Sequence, residues 1–109
     1  MTTLVVTGGS RGIGAAVCVA AAEAGWDVVV DYAQDAERAA DVVRRIEQAG
    51  GHALAVRADV GDAAAVEELF AAADSWRGPV TGLVNNAGIS GGQARVDEVD
   101  AATLDLVLR

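Results

Sequence analysis

Lysine is missing from this sequence altogether, and cysteine, proline, histidine, tyrosine and phenylalanine occur once each. With Tyr32 the one phenol and no ammonium to set beside it, every mechanism that needs a lysine next to a tyrosine is closed to these 109 residues. The lone Cys18 cannot form an internal disulfide, and a single His52 makes no His/Cys cluster that could hold a metal. Cys18 therefore reads as a small buried hydrophobe and His52 as a surface residue. No stretch stays apolar long enough to span a bilayer, and the first residues carry no basic leader before an apolar run. The expectation is a cytoplasmic protein with no membrane contact. Eight arginines stand against 16 acidic residues, a net charge of -8, which disfavours nucleic acid and anionic membranes as partners. Any phosphate must be bound locally.

What is present is an ordinary globular composition, 52% hydrophobic and 22% charged, suited to one domain over residues 1–109. Short β-branched runs alternate with helical stretches. Residues 2–7 (TTLVVT) stop at glycines as a buried parallel strand would, and the Ala-rich stretch 12–24 ends at Gly25, a helix terminator. Residues 26–31 (WDVVVD) form a second predicted strand, followed by a helix over 35–49 closed by Gly50 and Gly51. A third strand is expected at 52–57. In the next helix, 62–76, Val66, Leu69, Phe70 and Ala73 share one face and Asp62 suits an N-cap. Gly78-Pro79 breaks the chain before a fourth strand at 80–85, a glycine-rich loop covers 87–96, and 100–109 is predicted to begin another helix. The acidic groups Glu67-Glu68 and Asp97, Glu98, Asp100 read as solvated faces or helix-start acids. This alternation calls for an α/β fold: a parallel sheet with helices on both faces and a ligand at the C-terminal strand ends.

Thr7-Gly8-Gly9-Ser10-Arg11-Gly12-Ile13-Gly14 follows a strand and opens a helix, the setting in which backbone N–H groups and the helix dipole hold a pyrophosphate. The GxGxxG spacing is not met, because Val17 stands where the third glycine would fall. A tight strand-to-helix turn is the alternative reading of the same residues.

Residues 7–14 fit the form TGxxxGxG, Asp59-Val60 follows the third strand, and Asn85-Asn86-Ala87-Gly88 follows the fourth. In this order and spacing the chain resembles the short-chain dehydrogenase/reductases, with a texture most like 3-oxoacyl-carrier-protein reductases and glucose dehydrogenases. The resemblance runs over essentially the whole chain. It implies the N-terminal, cofactor-binding part of a Rossmann-type doubly wound sheet, about four parallel strands with flanking helices, the C-terminal half missing. It also implies a nicotinamide dinucleotide as ligand. Gly8, Ser10, Arg11, Gly12, Ile13 and Gly14 would surround its pyrophosphate and adenosine ribose. Asp59 would accept from the adenine amine, Val60 would pack on the ring, and Asn86, Ala87 and Gly88 would run along the riboses. Asp59 as a turn residue and Asn86 as a turn former are the plainer alternatives. At the end of the second strand the family's discriminating acidic position falls on Tyr32, and Asp31, one residue away, is set for the opposite face. Arg11 is able to hold a 2′-phosphate, so NADP is favoured over NAD.

Members of the resembled family move hydride between nicotinamide and a carbonyl or alcohol with a Tyr, a Lys four residues later, a Ser and an Asn. Tyr32 is followed at that spacing by Ala36. By the resemblance the Asn would fall just beyond Arg109 and the rest further on, so no catalytic residue is assigned. The expectation is the N-terminal part of an NAD(P)-dependent oxidoreductase that binds cofactor at most. A stand-alone nucleotide-binding module and an inactive remnant are the alternatives. A fourth strand without its neighbour would expose a backbone edge near Leu83 and Val84, and self-association through that edge is expected.

Overall fold

The computed structural model describes residues 2–10, 12–86 and 105–108. Strand β1 (Thr3–Thr7) is buried along its whole length, as a β-branched run covered on both faces must be. After it come α1 (Gly12–Glu23), β2 (Asp27–Tyr32), α2 (Ala36–Gln48), β3 (Ala53–Arg57), α3 (Ala63–Trp76), β4 (Val80–Asn85) and β5 (Asp105–Leu108). The sheet order is β3-β2-β1-β4-β5, with the first four strands parallel and β5 antiparallel to β4. Connections step outward from β1 to β3, then cross back to β4 on the other side of β1. The strand order therefore reverses between β1 and β4, and doubly wound sheets open a ligand crevice at the carboxyl ends of such a pair.

Each face of the sheet has its own core. Leu4, Val6, Val28 and Val30 meet Ala15 and Cys18 of α1 and Ala39, Val42 and Ile46 of α2. Val5 and Val29, the alternate positions on the same strands, meet Leu69 and Ala73 of α3. Strand period two thus divides one β-branched run between two helical layers, and each fully buried Val contributes about 1.5–3 kcal/mol. Helix α3 starts where its first N–H groups find an acceptor: the Asp62 carboxylate takes hydrogen bonds from Ala64 N at 3.0 Å and Ala65 N at 3.4 Å. The three helices and four parallel strands expected from the sequence are present, with bounds differing by a residue.

The chain's last residues depart from expectation. In place of a helix over 100–109, residues 105–108 form β5, paired as Gly82↔Leu108, Leu83↔Val107, Val84↔Leu106 and Asn85↔Asp105. Leu106-Val107-Leu108 is too short an apolar run to distinguish helix from strand by period, and the unpaired N–H and C=O groups along β4 offer it a ladder. The edge expected to be open beside Leu83 and Val84 is consequently paired, and Val84 is buried. The loop at 87–96 and the start of the expected helix, 100–104, lie outside the described residues.

Candidate functional site

Strand β1 delivers the chain into the turn Gly8-Gly9-Ser10, which leads into α1. The Gly9 N–H donates to the Asp31 carbonyl oxygen at 2.9 Å, tying the turn to the end of β2. Beneath it the buried Cys18 thiol faces the Gly9 carbonyl oxygen at 3.8 Å, and burial pushes that thiol up to about 12, so it stays neutral. Two glycines at the start of α1 are required for different reasons. Gly12 has φ +61° with nothing within 4 Å of where a Cβ would stand, so it is needed for its backbone conformation and leaves an open surface. Gly14 has no room: a Cβ there would collide with the Gly8 carbonyl oxygen and stand 2.6 Å from Asn86 Nδ2. Helix α1 can approach the turn this closely only without a side chain at that position.

The ends of β2, β3 and β4 complete the rim. Tyr32, at the end of β2, shares a cleft with Gly8, Ser10, Ala33, Gln34 and Asp35. Ser10 also borders a second cleft, shared with Gly12 and with Arg38 and Arg45 of α2. Asp31 is buried, and that burial lifts its carboxyl to about 6; the Gly8 and Ala58 backbone N–H groups oppose the rise and the Asp59 charge adds to it. After β3, Asp59 Oδ1 accepts the Gly61 N–H at 2.9 Å, and its carbonyl oxygen accepts the Asp62 N–H at 2.9 Å, so the carboxylate closes the β3–α3 turn. Its other oxygen retains acceptor capacity. Val60 is 40% exposed, a large apolar side chain left facing solvent, and it borders an apolar cleft with Thr7, Phe70, Leu83 and Asn85. At β4 the Asn86 N–H donates to Thr7 Oγ1 at 3.0 Å, while Asn86 Nδ2 donates to the Gly8 carbonyl oxygen at 3.0 Å. Thr7 Oγ1 in turn donates to Asn85 Oδ1 at 3.1 Å. Asn86 Oδ1 is buried without a partner.

A family model described as short chain dehydrogenase matches residues 2–109. The chain belongs to the short-chain dehydrogenase family. It is 42% identical over 108 residues to the uncharacterized oxidoreductase YgfF of Escherichia coli (strain K12), a match covering 99% of this chain and 44% of that protein. Against the short-chain dehydrogenase/reductase homolog YusS of Bacillus subtilis (strain 168) it is 39% identical over 101 residues, covering 93% of this chain and 92% of the other. Among solved structures, FolM alternative dihydrofolate reductase 1 from Brucella suis, in complex with NADP, superposes with a TM-score of 0.74 at 32% identity, covering 93% of this chain and 41% of that one. The chain thus spans less than half the length of YgfF and of the FolM structure, and nearly the whole of YusS.

Short-chain dehydrogenases bind NAD(P), and the described part of this chain gathers the family's motifs at one end of the sheet. Gly8, Ser10, Tyr32, Asp59, Val60 and Asn86 lie on the turns and strand ends there and Gly12, Ile13 and Gly14 in the first turn of α1, whereas Arg11, Ala87 and Gly88 lie outside the described residues. His52 is exposed at the start of β3, remote in the strand direction. No group of three or more His, Cys, Asp or Glu that could hold a metal occurs among the described residues, nor does a helix long and apolar enough to cross a membrane. Thr7 opens the glycine motif in the sequence, but its bonding role in the site was not marked there. Its hydroxyl joins β1 to Asn85, the last residue of β4, and to Asn86 just after it, a role that shows only once the two strands are known to be neighbours.

Proposed function

We propose that this chain supplies the dinucleotide-binding part of an NAD(P)-dependent oxidoreductase and takes NADP in preference to NAD. The observation that carries the reading is the lock between the glycine turn and β4: Asn86 holds the Gly8 carbonyl, and Gly14 lets α1 start against both. The turn and its surroundings fit a pyrophosphate. Gly12 leaves a bare surface at the positive end of α1, whose first turn carries no acidic residue to repel an anion. Ser10, Ile13 and the turn's N–H groups would hold the pyrophosphate and the adjoining ribose, with Asp59 and Val60 at the adenine and Asn86, Ala87 and Gly88 along the riboses. When bound, the nicotinamide supplies hydride chemistry toward a carbonyl or alcohol.

The described residues of this chain would bind and orient the dinucleotide; none of them is placed to move the proton. Tyr32, at the ribose end, has no lysine anywhere in the sequence to pair with, so the Tyr and Lys arrangement of the resembled family is not formed by these residues. No turnover is expected from residues 1–109 alone. Tyr32 stands where an acidic residue would repel a 2′-phosphate, and Arg11 offers a cation for one, which together support NADP. NADP bound to a relative of the same fold agrees with this. The setting would be the reducing cytoplasm, and self-association, where it occurs, would use an outer strand of the sheet. A second reading, a nucleotide-binding module acting without the rest of an oxidoreductase, is favoured by the near-complete coverage of YusS.

Calorimetric titration of the folded chain with NADP and NAD tests these readings. Saturable binding that favours NADP, loses that preference in Arg11→Ala and disappears in Gly14→Ala supports the dinucleotide site, and a micromolar Kd favours the module. A folded chain that binds neither dinucleotide overturns both.

A further inference from the structure

Asp31 is the one buried carboxyl among the described residues, 2% exposed, and its Oδ1 has no hydrogen-bond partner. It stands near the end of β2, beside the glycine turn. The carbonyl of the same residue receives the Gly9 N–H at 2.9 Å, and the Gly8 and Ala58 N–H groups favour its charged form. Alternating with Val30, the carboxyl takes the α3 face of the sheet beside Gly8, while α1, whose first turn would carry the pyrophosphate, packs on the other face. Few groups offset it. Asp59, from the β3–α3 turn, adds negative charge; the Cys18 thiol of α1 is neutral; Arg57 of β3 directs its guanidinium to the Ala33 carbonyl oxygen at 3.2 Å; Tyr32 neighbours it on β2.

Resting on the dinucleotide reading, we propose that Asp31 is a positioning residue of the site that takes up a proton from solvent when a pyrophosphate settles on the glycine turn. An ionised carboxyl and a pyrophosphate on opposite faces of the sheet at the glycine turn repel each other through protein rather than water, and they draw on the same backbone dipoles. Protonation removes the repulsion and gives the carboxyl an O–H donor in place of a second anionic acceptor. Without ligand the carboxyl titrates near 6; with ligand it titrates higher, so between the two values binding carries a proton with it. Affinity then falls as pH rises through that interval and is level below it. The expected loss between about pH 6 and pH 8 is about three- to tenfold, the range for unit charges separated by one turn of protein.

NAD is the probe, because the 2′-phosphate of NADP titrates near 6 on its own account. Binding is measured by calorimetry at about pH 7.5 in HEPES and in Tris, whose different ionisation heats report protons exchanged, for the native chain and Asp31→Asn. The expected result is uptake of a fraction of a proton by the native chain, none by the variant, and a variant Kd level from about pH 6 to 8. Equal uptake by the two proteins, or none by the native chain, overturns the inference and leaves the dinucleotide site standing. NAD and NADP both failing to bind either folded protein overturns the site itself, and this inference with it. If Asp31→Asn does not fold, carbon-13 NMR titration of the native Asp31 carboxyl decides: a midpoint raised by NAD supports the proposal and an unmoved one refutes it.

Discussion

At the scale of the residue, Asp31 is where charge and burial conflict. Its folded-state carboxyl lies near 6 against 3.8 for an unburied aspartate, so the folded protein holds a proton more tightly than the unfolded chain does. The sign follows directly: the cost of ionised Asp31 is fully present above about pH 6, shrinks as pH falls through 6, and is gone below about 4. Asp31→Asn keeps one acceptor oxygen and removes the charge. It is expected to stabilise the chain by about 2 kcal/mol at pH 7.5 and by nothing near pH 4, read from urea unfolding at both values. An equal difference at both pH values would contradict this. That Asp31 and Tyr32 take opposite faces was legible beforehand, because a strand alternates faces, and Tyr32 is half-buried against the α1–α2 layer at the edge of the cleft. The orphaned oxygen of Asp31 was not, since that depends on Gly8 and Ala58, which lie in other strands' turns.

At the scale of the element, boundaries are set by local chemistry where local chemistry is strong. Asp62 accepts two first-turn N–H groups and α3 begins beside it, so Asp62→Ala should lower stability by about 1 kcal/mol, seen as a fall in the denaturation midpoint without a change in slope. The four parallel strands were legible for a similar reason. Runs such as LVV in β1 and VVV in β2 are rich in β-branched valine, short and bounded by glycine or polar residues. Leu106-Val107-Leu108 carried no such local cue, and its state as β5 depends on an edge presented by β4, which is about twenty positions away in sequence. The Thr7, Asn85 and Asn86 network was hidden by the same distance. Its members were recognisable as parts of two motifs, but their contact requires β1 and β4 to be neighbours.

At the scale of the whole molecule, the sheet has two cores and a reversal of strand order between β1 and β4, and the site sits at that reversal. Pairing of β5 along 82–85 shields the outer edge of β4. A proline at Val107, opposite Leu83, interrupts that ladder and is expected to shift the chain toward larger species in sedimentation velocity, because an exposed strand edge is a template for another copy. An unchanged monomer distribution would show that the edge does not govern association. The bond from Asn86 to Gly8 spans 78 positions, and its consequence lies in the order of events during synthesis. A nascent chain can have its glycine motif outside the ribosome long before Asn86 appears, yet the turn gains its buttress only after β4 has emerged and docked against β1. Capture of a dinucleotide would then come late and abruptly, and would mark a finished sheet rather than the mere presence of the motif.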